Sequence, residues 1–263
     1  MKFQKLIAVG LIFLVTSFTG VAQTDPFNTS HSLMQVSIIN ALLAGEYDGS
    51  YKLSDLLKHG DFGLGTFDKL DGEMIVLNGK IYQFKTDEKM HNADLSLKTP
   101  FACVVHFRSD YSFEINKEMD IKSFQNVIDS VLSNPNLFYA IKVTGNFKYI
   151  KTRSVPKQSK PYKPLSEVTK TQSVFEKNNQ EGTIVAFLLP AFINGVNVPG
   201  FHMHFITKDK TFGGHALDFI LSNGKVEIEK LNKFEMLLPE EGSSFKNLDL
   251  GKDRSKELEK VEK

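Results

Sequence analysis

The chain has 263 residues, 41% of them hydrophobic and 24% charged, values that belong to folded globular proteins and exclude wholesale disorder. Its 32 basic and 31 acidic side chains leave a formal net charge of +1, so no global electrostatic pull toward nucleic acid or a membrane surface is indicated. The single cysteine, Cys103, excludes an intramolecular disulfide and leaves stability to the core.

The N-terminus reads as an address. Lys2 and Lys5 precede an apolar stretch from Leu6 to Val15, and small and polar residues follow to Val21-Ala22-Gln23, the pattern of a secretory signal and its cleavage region. The apolar stretch is short for a membrane span, which needs about 20 residues. Residues 1–23 are therefore expected to be removed on export to the periplasm or the medium, with no membrane attachment afterwards.

Ser32 to Leu43 carries Leu33, Val36, Ile39, Leu42 and Leu43 at helical spacing, with Gly45 as a stop, and predicts a helix. A second short helix is expected over Leu53 to His59. Met74 to Leu77 and Ile81 to Phe84 flank Asn78-Gly79, the strongest short hairpin signal. Ala102 to Phe107 and Tyr111 to Ile115 read as strands, and Ile121 to Leu132 as a helix ended by Ser133-Asn134-Pro135. Leu137 to Val143 and Phe147 to Ile150 flank Gly145-Asn146 and predict a second hairpin. The polar stretch from Lys151 to Gln180, with Pro156, Pro161 and Pro164, reads as a long connection between two halves, residues 24–150 and 151–263. Thr183 to Leu189, Phe201 to Thr207, His215 to Leu221 and Lys225 to Ile228 read as strands, and the charged tail from Lys252 to Lys263 as a helix. The class is α+β, rich in antiparallel pairs.

Cys103 sits in the apolar run Thr99 to Phe107 with no activating pattern, and reads as a small buried hydrophobe in a strand. The chemistry lies elsewhere, in Gly200-Phe-His-Met-His-Phe-Ile-Thr207. Side chains alternate across a strand, so His202 and His204 share a face. Eleven residues beyond His204 comes His215. A turn centred between Asp209 and Lys210, with no bulge, sets His204 directly opposite His215 on that face. Three imidazoles then converge and leave one position of a tetrahedral zinc open. A metal with an open position implies Lewis-acid chemistry or an activated water. Spacing alone leaves a lyase, a zinc hydrolase and a cupin-like oxygenase open, and a non-enzymatic binding module beside them. His31, His59, His91 and His106 receive no role.

On pattern alone Glu73 is a surface charge at a strand end. Arg153 is one solvated cation among Lys148, Lys151, Lys157, Lys160 and Lys163, a cluster without the signatures of a nucleic-acid-binding fold. Gly63 and Gly65 make no phosphate loop, because the helix-opening Gly-Lys-Ser/Thr pattern is missing.

Three segments carry a resemblance. His59-Gly-Asp-Phe-Gly-Leu-Gly-Thr-Phe67 followed by Leu70-Asp-Gly-Glu-Met74, then Thr152-Arg-Ser-Val-Pro156, then Gly195-Val-Asn-Val-Pro-Gly-Phe-His-Met-His-Phe-Ile206 followed by Gly213-Gly-His215, resemble the acetolactate decarboxylase family in its order. The similarity runs from about Met34 to Leu250. It implies two α/β subdomains with mixed, largely antiparallel sheets, the second of them binding zinc through His202, His204 and His215, and often a homodimer. It implies that 2-acetolactate loses CO2 to give acetoin, with no nucleic acid involved. Glu73 falls on the family's active-site acid, Arg153 on its arginine and Thr66 on a nearby threonine. A further glutamate comes from the tail, where Glu259 is favoured and Glu262 is next. Arg153 is expected to orient the substrate carboxylate by a two-point contact, and Glu73 to supply the proton that completes acetoin.

Overall fold

The computed structural model describes residues 31–240 and 244–262, and the expected secretory signal lies outside them. In chain order the elements are β1 (Ser32–Val36), α1 (Ile39–Leu43), β2 (Tyr51–Lys52), α2 (Leu53–Leu56), β3 (Phe62–Thr66), β4 (Glu73–Leu77), β5 (Lys80–Phe84), β6 (Met90–Asn92), β7 (Lys98–Thr99), β8 (Ala102–Val105), β9 (Tyr111–Ile115) and β10 (Met119–Asp120). There follow α3 (Ile121–Val131), β11 (Phe138–Ser154), α4 (Leu165–Val168), β12 (Ser173–Leu189), β13 (Gly200–Thr207), β14 (Gly213–Leu231), β15 (Lys233–Leu237) and α5 (Ser255–Glu262). The expected α+β class and its mixed, largely antiparallel sheets are present.

One seven-stranded sheet runs β15-β1-β8-β3-β4-β5-β6, with β15 and β1 parallel and the other pairs antiparallel. The second sheet runs β10-β14-β11-β12-β13, with β9 against β14, and β13 returns to pair with β14. Strands β11, β12, β13 and β14 therefore form a closed circuit. Phe147, Phe205 and Phe219 pack inside it, with Phe147 edge-on to Phe205 at 5.0 Å and to Phe219 at 5.7 Å. Helix α3 lays Phe124 and Ile128 on the same cluster, its N-terminus capped by Asp120 accepting from the Ser123 N–H at 2.8 Å. A separate core, with Leu64, Ile75, Val185 and Ile206, lies between the two sheets, and α2 covers the far face of the seven-stranded sheet with Leu53 and Leu56.

Four expectations are corrected. The helix predicted over Ser32 to Leu43 is a strand, a turn and a short helix. β1 lies inside the sheet with its apolar residues on both faces buried, so its pattern lacks the alternation that marks a half-exposed strand, and Ser37, at φ +60°, breaks the chain before α1. The hairpin predicted at Gly145-Asn146 does not exist, because β11 continues through it with only a register shift against β14 between Asn146 and Phe147. Gly145 pairs with both Gly182 and Gly224, and a Cβ on Gly145 would lie 2.2 Å from the Asn223 carbonyl oxygen. These glycines serve close approach between strands rather than a turn. For the same reason the two strands expected around Asn223-Gly224 are one, β14. The long connection from Lys151 to Gln180 shrinks at both ends, since β11 reaches Ser154 and β12 starts at Ser173. That end of β12 alternates between exposed and half-covered side chains, and so reads as loop.

Gly63 shows what the glycines of β3 do. A Cβ there would stand 2.1 Å from the Cys103 carbonyl oxygen on β8, where nothing flexible can yield. We expect Gly63→Ala to destabilise the fold by about 1–3 kcal/mol, the usual cost of overpacking, measured as a lowered denaturant midpoint. Gly251→Ala, where the nearest atom is 3.7 Å away, is expected to change stability by less than about 0.5 kcal/mol. Equal midpoints for the two variants would remove the close-approach explanation.

Candidate active site

The ladder between β13 and β14 pairs His204 with His215 directly, as the spacing predicted. His202 sits two residues before His204 on the same face, and the three ring centroids lie 5.1 to 5.3 Å apart. All three are buried, and one nitrogen of each lies within 4.8 Å of the others. Across the next ladder, β11 pairs Arg153 with His215. Arg153, His215 and His204 thus form one transverse row over three strands.

The seven-stranded sheet supplies the opposite wall. Its β4 starts at Glu73, paired with Thr66 on β3. The Met74 carbonyl accepts a hydrogen bond from His204 Nδ1 at 2.8 Å, which fixes the ring's tautomer and leaves Nε2 facing the cavity. Glu73 Oε2 lies 3.7 Å from that Nε2. Thr66 lines the cavity with its hydroxyl donating to the Gly72 carbonyl at 2.8 Å. Helix α5 closes the remaining side. Leu258 and Val261 bury themselves in the inter-sheet core, and the next residue, Glu262, reaches 3.7 Å from His215 Nε2, 4.0 Å from His202 Nε2 and 3.9 Å from Arg153 Nη2.

The tail glutamate against the histidines is therefore Glu262. Glu259, the first choice from sequence, is exposed and borders a separate groove with Ala191 and Asn194. A helix turns 100° per residue, so residues three apart lie on neighbouring but distinct stripes, and only packing of Leu258 and Val261 decides which stripe faces in. Glu73 is 5% exposed and Arg153 4%, so neither is the solvated charge its local pattern suggests. The apolar wall residues Ile39, Leu42, Phe101, Leu165 and Val261 come from four separate segments. Nothing in the sequence around them marks a wall, since each reads as ordinary core. Cys103 is buried as expected, its thiol pushed up to about 12 by burial, and it takes no part.

Burial governs the electrostatics. It holds His202 down to about 3, with Arg153 adding to the effect, and pushes His204 and His215 well below the ordinary imidazole value. Their contacts with Glu73 and Glu262 are therefore not ion pairs, and three neutral imidazoles with free lone pairs face one point. Burial raises Glu73 to about 7, opposed by the Arg153 charge and reinforced by Glu262. Glu262 is raised by burial too, against the pull of Arg153. Three neutral, buried imidazoles without acidic ligands among them are the donor set of a divalent transition metal, and the cluster can hold such an ion.

The family model for alpha-acetolactate decarboxylase matches residues 33–252. The chain is 48% identical over 236 residues to an alpha-acetolactate decarboxylase of Methanosarcina mazei, covering 90% of this chain and 82% of that one. It is 41% identical over 231 residues to the Bacillus subtilis protein of the same name, covering 88% and 90%. Its fold superimposes on the crystal structure of the alpha-acetolactate decarboxylase from Bacillus subtilis strain 168 with a TM-score of 0.86 at 40% identity, over 88% of this chain and 99% of the other. Fold, site and sequence agree: the chain belongs to the alpha-acetolactate decarboxylase family.

Proposed function

We propose that the protein decarboxylates 2-acetolactate to acetoin and CO2, with zinc in the three-histidine cluster. The observation that carries this reading is the convergence of His202, His204, His215, Arg153 and Glu73 on one buried cavity in a chain of this family. The neutral imidazoles favour zinc over harder cations, which prefer oxygen ligands.

Losing CO2 breaks the bond between the carboxylate carbon and the carbinol carbon, and sends its electron pair toward the ketone oxygen. When bound, the metal supplies the Lewis acid that stabilises this developing charge. Among the described residues Arg153 is the one cation lining the cavity, and its planar fork suits a two-point contact that orients the carboxylate. Glu73, raised to about 7, holds a proton near neutral pH and releases it readily, the property wanted of a general acid. Its carboxyl donates that proton to the carbon that carried CO2, and acetoin is complete. Glu262 and Val261 shield the cavity from water, which strengthens these interactions. Thr66, with its proton committed to Gly72, offers only lone pairs to a substrate hydroxyl. A zinc hydrolase could use the same Glu73 to activate a water for attack on an ester or amide, so turnover of 2-acetolactate itself separates the two readings.

The decisive assay adds 2-acetolactate to purified protein and follows acetoin with and without a chelator. About one zinc per chain is expected, and His204→Ala should lose both metal and turnover. Full activity from metal-free protein would sink the metal reading. Glu73→Gln keeps the side chain's shape and removes its exchangeable proton, so kcat should fall by about 10²–10⁴-fold with zinc retained. A kcat within about twofold of the parent would remove Glu73 from the proton step and turn attention to Glu262. Arg153→Lys replaces a fork by a point charge and should cut kcat/KM with zinc in place. We also propose export and a homodimer, the first from the N-terminal pattern and the second from the family resemblance. N-terminal sequencing of native material should start near Gln23 or Thr24, and an intact Met1 in the cytoplasm would refute export.

A further inference from the structure

The Arg153 guanidinium makes one side-chain hydrogen bond among the described residues, and it comes from outside the cavity lining. Its Nη1 donates to Gln172 Oε1 at 3.2 Å. Its Nε is buried without a partner, and its Nη2 stands 3.9 Å from Glu262, beyond hydrogen-bond reach. The sheet register explains the meeting. Arg153 pairs with Val174, and Gln172 lies two residues before Val174 in extended conformation, at φ −62° and ψ 146°. Residues diagonal by two share a face and come within reach of long side chains. Gln172 is itself pinned, its N–H donating to the Thr169 carbonyl at 3.2 Å at the end of a single tight turn.

We propose that Gln172 is a positioning residue, whose amide oxygen fixes the Arg153 guanidinium in the orientation that receives the substrate carboxylate while leaving its positive charge unspent. The inference rests on the reading of Arg153 as the carboxylate contact. The choice of a neutral acceptor is what matters. A carboxylate at this place would pair with the guanidinium through charge-assisted hydrogen bonds and compete with the substrate for the same fork. An apolar side chain of equal size would fill the space and leave the guanidinium free to rotate about its own torsions.

Three variants separate these roles on the metal-loaded protein: Gln172→Ala, Gln172→Met and Gln172→Glu, beside Arg153→Lys. The probe is 2-hydroxyisobutyrate, a hydroxy acid with no ketone and so no route to decarboxylation, titrated by calorimetry. KM and kcat for 2-acetolactate are read in parallel, and metal content is checked for each variant. Gln172→Ala and Gln172→Met should each weaken the acid and raise KM by about tenfold, the worth of one hydrogen bond to a charged group, with a smaller change in kcat. Gln172→Glu should weaken both at least as much. Wild-type affinity in Gln172→Met would make Gln172 a packing residue and overturn the proposal, as would wild-type affinity in Gln172→Glu. If Arg153→Lys alone weakens binding, the positioning role falls and the carboxylate contact stands. If Arg153→Lys binds as the wild type does, the reading of Arg153 falls, and the role of Gln172 with it.

Discussion

The site depends on one cross-strand pair. His204 and His215 face each other in the β13–β14 ladder because β13, having paired along its length with β12, turns at Lys208–Phe212 and pairs again. The turn is held by Thr207, whose N–H donates to the Phe212 carbonyl at 2.9 Å and whose hydroxyl donates to Asp209 at 2.6 Å. Shifting the register by one residue would turn every side chain of β14 to the other face. His215 would leave the cluster, and Arg153, its partner on β11, would no longer share the row. The closed circuit of β11 to β14 makes such a slip costly, since each strand is fixed by two neighbours.

The row alone would be an open surface with a cation and three bases. The seven-stranded sheet turns it into a cavity. β4 brings one backbone carbonyl to orient His204 and one carboxyl to face it, and α5 brings a second carboxyl over the other two rings. Burying Arg153 without counter-charge would be expensive, and Glu73 and Glu262 offset part of that cost. Burial in turn raises both carboxyls, Glu73 to about 7, so Glu73 exchanges a proton near neutrality while the imidazoles stay unprotonated. The raised carboxyls and the neutral imidazoles therefore follow from the same desolvation acting on groups of opposite charge type.

Glycine is used here for proximity. Gly63 and Gly65 let β3 lie against the carbonyls of Cys103 on β8 and of Phe101 just before it, and the ring of Phe205 lies over Gly182. In sequence such a glycine can read as a turn, and the apparent hairpin at Gly145-Asn146 is such a case. A missing Cβ marks either a bend or a close approach, and only the neighbouring strand tells which.

The sequence by itself determined the three-histidine cluster, because strand alternation and an eleven-residue return are local rules that any antiparallel hairpin obeys. It also determined the hairpin at Asn78-Gly79, the helix over α3 and the class of fold, since turn chemistry and amphipathic period act over a few residues. Glu73 and Arg153 were legible only through a family resemblance; their own surroundings describe solvated charges, and their burial is produced by strands far away in the chain. Tertiary structure alone decided that β1 is a strand, that β11 and β14 run unbroken, and that Glu262 rather than Glu259 faces the histidines. Each of these is settled by contacts between segments remote in sequence, where packing outweighs local preference. The hold of Gln172 on Arg153 belongs to the same kind, a diagonal contact created by the register of two long strands.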